Sequence, residues 1–129
     1  MPTSNLLGGI TEINDGLESI VIVNALGDIP GGLTLDVSAA KAAGEKVIKS
    51  GRIIIKDANG VAKPLGITGG NYADIQATEK ALGVLKATVH VDDPRAAVLT
   101  IGQVNAAAML VKPTEAIVKA LPRIEFLNL

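Results

Sequence analysis

The segment that most constrains this chain is Arg52-Ile53-Ile54-Ile55-Lys56 followed at once by Asp57-Ala58-Asn59-Gly60. A run of three isoleucines is β-branched and apolar, and it reads as a strong strand. Asn-Gly supplies the positive φ that a tight hairpin loop demands. The chain then returns through Val61-Ala62-Lys63-Pro64-Leu65-Gly66-Ile67. Pro64 has no N–H to give to a ladder, so the return strand stands at a sheet edge or stops there. Any fold for this chain must therefore accommodate a β-hairpin over residues 52–67 with one edge free.

Other elements follow from period and punctuation. Ile20-Val21-Ile22-Val23 is short and β-branched and predicts a buried strand. Asp28-Ile29-Pro30-Gly31-Gly32 is turn chemistry, and Leu33-Thr34-Leu35-Asp36-Val37 alternates with the period of a half-buried strand. Residues 38–43 predict one helical turn ended by Gly44. Val47-Ile48 leads into a turn at Lys49-Ser50-Gly51, and Gly69-Gly70-Asn71 is a flexible connection. The spacing predicts a helix over 74–82, capped by Asp74 and stopped by Gly83, with Ile75, Thr78, Ala81 and Leu82 on one face. An alternating strand over 83–91, a turn at Asp92-Asp93-Pro94-Arg95 and a return over 96–101 predict a second hairpin. Gly102–Asn105 precedes Ala106-Ala107-Ala108-Met109-Leu110-Val111, which is compatible with helix or strand. Pro113-Thr114 opens a short helix through Leu121, Pro122 ends it, and residues 123–127 form a last strand. Residues 1–19 are rich in turn formers and read either as an N-terminal arm, ordered on meeting a partner, or as an ordinary frayed terminus. Residues 20–129 read as one α+β, β-dominated domain: a small β-barrel or tulip-like unit with two hairpins and two or three short helices.

Composition narrows the function classes. The chain has 129 residues, with 12 Lys+Arg against 13 Asp+Glu and a net charge of −1. That balance argues against a dedicated nucleic-acid binder and against a polybasic membrane surface. Cysteine is absent, so disulfides, thiolate zinc and a cysteine nucleophile are excluded. A single histidine, His90, excludes a multi-histidine metal site within one chain. The longest strongly apolar stretches, Ile20–Val23 and Ala106–Val111, are far short of the roughly 20 residues that span a bilayer. Yet 48% of residues are hydrophobic and mean hydropathy is +0.40. That is more aliphatic surface than one small core requires, and it predicts a subunit interface.

Catalytic constellations are sparse. His90 lies by periodicity on the polar face of its strand beside Lys86 and Thr88, which points to a solvated side chain rather than a general base. Asp92 and Asp93 are adjacent carboxylates, but Asp-Asp-Pro is an ordinary turn in which Asp bonds its own backbone. The pairs Gly8-Gly9, Gly31-Gly32 and Gly69-Gly70 match neither a Walker pattern nor a dinucleotide fingerprint. The serines Ser4, Ser19, Ser38 and Ser50 sit in loop-like context, without a nucleophile elbow. Tyr72 and Phe126 are too few aromatics for a base-stacking groove. The expectation is no catalytic residue, no cofactor and no metal. A second class stays open: a small oligomeric enzyme or ligand-binding subunit whose site lies at a subunit interface, built from His90, Asp92, Asp93 and Lys86. A third is a structural subunit of some other cellular shell.

Residues 42–67, Gly83-Val84-Leu85, Ala97-Val98-Leu99-Thr100-Ile101-Gly102-Gln103-Val104-Asn105 and Ala120-Leu121-Pro122-Arg123-Ile124-Glu125-Phe126 together form a pattern. It resembles the head decoration and head fibre proteins of tailed bacteriophages, the auxiliary capsid proteins. The likeness covers about residues 42–126. It departs from the best-known decoration proteins in having almost no aromatics and no Trp. The resemblance implies a structural, non-enzymatic protein of the virion that sits on the capsid exterior, usually as a homotrimer or a projecting fibre. It implies the major capsid protein and a second copy of itself as partners, with no nucleic acid and no membrane. It also implies an N-terminal arm that touches the shell, here Pro2, Thr3, Ser4, Asn5, Leu6 and Leu7. Many weak contacts repeated over many copies would give large avidity without one strong site.

Overall fold

A computed structural model describes residues 21–29 and 32–128. The expected arm, with Pro2 to Leu7, lies outside the described residues. In chain order the elements are β1 (Ile22–Asp28), β2 (Leu33–Thr34), α1 (Ser38–Ala42), β3 (Val47–Ile48), β4 (Ile53–Lys56), β5 (Ala62–Pro64), β6 (Ile67–Thr68), β7 (Asn71–Tyr72), β8 (Lys80–Leu85), β9 (Val89–His90), β10 (Arg95–Ala96), β11 (Val98–Asn105), a 3-10 turn (Ala106–Ala108), α2 (Glu115–Ala120) and β12 (Ile124–Leu127). The architecture is α+β and dominated by short strands.

The main sheet runs β1-β11-β8-β4-β5, and β12 joins it on β11. β11 is the longest strand and organises the rest. Its partner β1 runs antiparallel along one edge. On the other edge β8 pairs antiparallel with Val98 and Leu99, and β12 pairs parallel with Gly102 to Asn105. Two strands thus share one side of β11 end to end.

The isoleucine run lies at the middle of the structure. Ile53 and Ile54 are fully buried and Ile55 is 1% exposed. Pleating sends Ile53 and Ile55 to one face, where they meet Leu65, Tyr72, Val84, Leu99, Met109, Ile117 and Leu121. It sends Ile54 to the other face, among Leu35, Val37, Ala40, Ile48, Leu85 and Val98. The sheet is therefore a middle layer with a separate apolar core on each side. The first core is roofed by α2, the β6–β7 hairpin and residues 109–111. The second is roofed by α1 and by two short ribbons, β2 with β10 and β3 with β9. Full burial of each isoleucine side chain is worth about 1.5–3 kcal/mol.

The hairpin predicted over 52–67 forms as β4 and β5, with Ile54 opposite Pro64 and Lys56 opposite Ala62. Asp57 N donates to Val61 O and Gly60 N to Asp57 O, with Gly60 at φ +82°, a turn closed by a glycine bulge. The Asp57 carboxylate accepts from the N–H groups of Asn59 and Val61, which fixes the loop. β5 ends the sheet, the place Pro64 allows. Two of the expected helices form, as α1 and α2. Gly44, at φ +85°, follows α1, and the Thr114 hydroxyl caps α2 by accepting from Ile117 N.

Four expectations change. The sheet does not close into a barrel among the described residues, because its end strands β1 and β5 do not pair with each other. Both faces are already covered by other layers, so closure is not needed to exclude water. The helix expected over 74–82 is absent. Residues 77–78 form a turn and β8 begins at Lys80, with Ala81 paired to Ile55. Pairing to the buried strand overrides a moderate helix propensity. Gln76 N instead donates to the Glu79 carboxylate, and Ile75 packs on the first core. The second hairpin is real in its stems, β8 and β11, but its connection is long and carries β9 and β10 out to β3 and β2. Of the strand expected over 20–23, Ile22 and Val23 belong to β1, which is largely exposed, while Val21 just before it is buried in the first core.

Gly83 sets the spacing of the central strands. It lies opposite Ile54 where the β4–β8 register shifts, and a Cβ there would run into the Leu99 carbonyl of β11. Backbone cannot yield as a flexible side chain would. Gly83→Ala should cost about 3 kcal/mol or more in urea unfolding, at the upper end of overpacking penalties. Ile54→Ala should cost about 2–5 kcal/mol by the cavity it leaves. A Gly83→Ala protein as stable as the parent would show that β8 and β11 lie further apart than described here.

Candidate interaction surface

The two ends of the main sheet differ in chemistry. β5 presents Lys63 and Pro64, which discourage another strand from adding. β1 presents no lysine or proline, and among the described residues no strand pairs with its outer edge. Val23 is 44% exposed and Leu26 69% exposed on β1. Register shifts at three places along β1 make this edge uneven. Lys86 Nζ, 2.8 Å from Asp28 Oδ2, ties the far end of β1 to the chain just beyond β8. Leu110, 66% exposed, and Val118 on α2, 40% exposed, are further uncovered apolar side chains. Val23 and Leu26 thus lie on an edge that no described strand covers, the kind of edge to which another strand can add.

Of the polar residues singled out in the sequence, His90 and Asp92 line one open groove with Lys41 and Lys46, and Lys86 and Asp93 do not join them. Lys86 is taken by Asp28. Asp93 is held by Arg95, whose guanidinium donates at 3.0 and 3.2 Å. That hydrogen-bonded cation keeps the Asp93 carboxyl below the ordinary aspartate value. Asp92 lies 3.9 Å from Lys41, a loose and fully solvated pair. His90 is exposed, and its carbonyl accepts from Asp93 N in the turn that the sequence predicts. The Asp-Asp-Pro segment is a turn with its charges spread over separate partners.

A different polar cluster is buried, and sequence reasoning missed it. Arg52 is 6% exposed. Its Nε donates to Leu65 O at 2.8 Å, and its two terminal nitrogens donate to the Glu45 carboxylate at 2.8 and 3.4 Å. The fork geometry of arginine suits this two-oxygen grip. Beside it the Tyr72 hydroxyl accepts from Ile53 N at 3.2 Å. Burial is the main cause that raises the Tyr72 pKa above its ordinary value. Ser50 is buried next to them. Arg52 reads in sequence only as the polar start of a strand. Seven residues and a turn separate it from Glu45, and no local signal joins them.

Among the described residues no group of three or more His, Asp or Glu is placed to hold a metal ion, and no helix is long and apolar enough to cross a membrane. No family model, no curated protein and no solved structure matches the chain.

Glu45→Ala would leave the Arg52 guanidinium buried without its anion. Glu45 is partly exposed, so the expected loss is about 2–4 kcal/mol, somewhat below that of a fully enclosed pair. Replacing both, as Glu45→Gln with Arg52→Met, should recover part of that loss in chemical denaturation. Equal losses for the single and double variants would mean that the ion pair is not the interaction being measured.

Acid stability tests a second polar contact. The Asp36 carboxylate accepts from Ser38 N and Ser38 Oγ at the start of α1, and these bonds hold its pKa below the ordinary 3.8. A depressed folded value gives stabilisation that is present above the unfolded value and lost as pH falls through the folded one. Asp36→Asn should therefore lower stability at pH 7 and flatten the acid limb, so that variant and parent converge as pH falls below 3.8. A parallel downward shift at every pH would contradict this.

Proposed function

We propose that this protein is a structural accessory of a phage head, a capsid decoration or head fibre protein that binds the outside of the assembled shell. The observation that carries the reading is where the family-like segments fall. Gly83-Val84-Leu85 ends β8, Ala97 to Asn105 supplies β11, and Ile124-Glu125-Phe126 lies in β12. These pieces are far apart in sequence and neighbours in one sheet. Residues 42–67 supply β3, β4, β5 and the start of β6, so the same likeness also spans the buried hairpin. The uncovered apolar residues of β1, with Leu110 and Val118, further support a protein that works in an assembly.

On this reading the protein assembles as a homotrimer, and the segment Pro2 to Leu7 makes the contact to the major capsid protein. Affinity then comes from repetition over the lattice rather than from one deep site. The role is mechanical: bracing the shell or presenting a surface outside it.

Quantitative mass spectrometry of purified particles measures the copy number against the major shell protein. About one copy per shell subunit is expected for decoration of the whole lattice, and a much smaller ratio for a fibre. Complete absence from particles sinks the proposal and favours an oligomeric enzyme or ligand-binding subunit. Deleting residues 1–17 should abolish particle binding while circular dichroism of the remaining chain is unchanged. Undiminished binding by that variant removes the arm from the mechanism.

A further inference from the structure

The tip of the β4–β5 hairpin places a reactive pair in solvent. Asn59 is the only asparagine of the chain that is followed by glycine. Asn59 and Gly60 are both exposed. An asparagine side chain can be attacked by the backbone nitrogen of the next residue, which is one reason asparagine is thermally labile. A glycine in that next position has no Cβ to obstruct the approach. Asn24, Asn71 and Asn105 precede Ala25, Tyr72 and Ala106, which each carry a side chain there.

The hydrogen bonds of the loop oppose this reaction. Gly60 N donates to Asp57 O at 3.0 Å, so the nitrogen that must attack is engaged. Asn59 N and Val61 N both donate to Asp57 Oδ1, at 2.9 and 3.0 Å. One aspartate thus fixes the backbone on both sides of the Asn59–Gly60 bond. None of these three bonds belongs to the β4–β5 ladder, which ends with Lys56 opposite Ala62. Opening the loop therefore does not require the sheet to unfold.

We propose that Asn59 is a site of spontaneous deamidation, gated by opening of the turn that Asp57 holds. In the open loop hydroxide takes the Gly60 amide proton. The nitrogen bonds to Asn59 Cγ, and the side-chain nitrogen takes a proton from water and leaves as ammonia. Water then hydrolyses the cyclic imide. Cleavage at Cγ gives aspartate. Cleavage at the backbone carbonyl gives isoaspartate, in which the chain runs through Cβ and Cγ. The net change is gain of water and loss of ammonia, and no cofactor takes part. Both products add a negative charge near Asp57. Isoaspartate also lengthens the backbone between Asp57 and Val61, so one carboxylate no longer matches both N–H groups. The inference does not depend on the capsid reading.

Incubation of the folded protein in mildly alkaline buffer, followed by peptide mass spectrometry, measures the amide-to-acid conversion at Asn59. Conversion is expected, more slowly than in the same chain unfolded in urea. Asp57→Ala should speed the folded-state reaction about three- to tenfold, the factor that loss of one ordinary hydrogen bond gives. Asp57→Ser, which keeps an acceptor, should fall between. The variants are compared where circular dichroism shows them folded. No conversion at Asn59 in the folded protein, over a period that converts the unfolded chain, overturns the proposal. Equal folded-state rates for the parent and Asp57→Ala overturn the gate.

Discussion

Everything in this structure depends on a strand that cannot touch water on either face. Ile53, Ile54 and Ile55 are adjacent, and pleating points them to opposite sides. A sheet with one wet face would leave Ile54 exposed, or else Ile53 and Ile55. The chain answers with two cores, one on each side of β4, and must supply a cover for each. Aliphatic content that looks excessive for one core is explained in part by this double layer. The covers are economical: two helices of five and six residues and three ribbons with strands of two residues. None would be stable alone. Each persists because it buries an apolar face on the central sheet.

How far the sequence discloses this depends on whether the signal is local. The β4–β5 hairpin, its glycine turn, the edge position of Pro64, the α1 stop at Gly44 and the opening of α2 at Pro113-Thr114 are all set by a few neighbouring residues, and all are legible. The failures have the opposite cause. Residues 74–82 carry helix-compatible spacing, but Ala81 is claimed by Ile55, 26 positions away. The alternation over 83–91 suggests one continuous strand, but the chain leaves β11 after Lys86 N meets Ala97 O and sends Val89 to Ile48. Barrel closure depends on which strands end the sheet, and no local run of residues states that. The Arg52–Glu45–Tyr72 cluster was invisible because each member has an unremarkable local context. The expectation of an unremarkable Asp92-Asp93 turn fared better, since turn chemistry is local too.

The proposed role fits a surface with no single commanding site. The described exterior pairs its charges locally, as in Lys86 with Asp28 and Arg95 with Asp93, and leaves scattered aliphatics uncovered on β1, at Leu110 and on α2. Solvated pairs of this kind contribute little to stability individually. They do keep a hydrophobic chain from sticking indiscriminately. Among the described residues the two edges differ: β5 carries Lys63 and Pro64, and β1 is interrupted only by its register shifts.

The seat of Tyr72 also determines how the molecule can be watched. The chain contains one tyrosine and no tryptophan. That ring is buried in the first core, with its hydroxyl on the amide of Ile53. Almost all near-ultraviolet absorbance and emission from the protein therefore comes from one point, where the β6–β7 hairpin meets the isoleucine strand. Light reports on that junction alone, and changes in the second core, on the far side of the sheet, pass unseen.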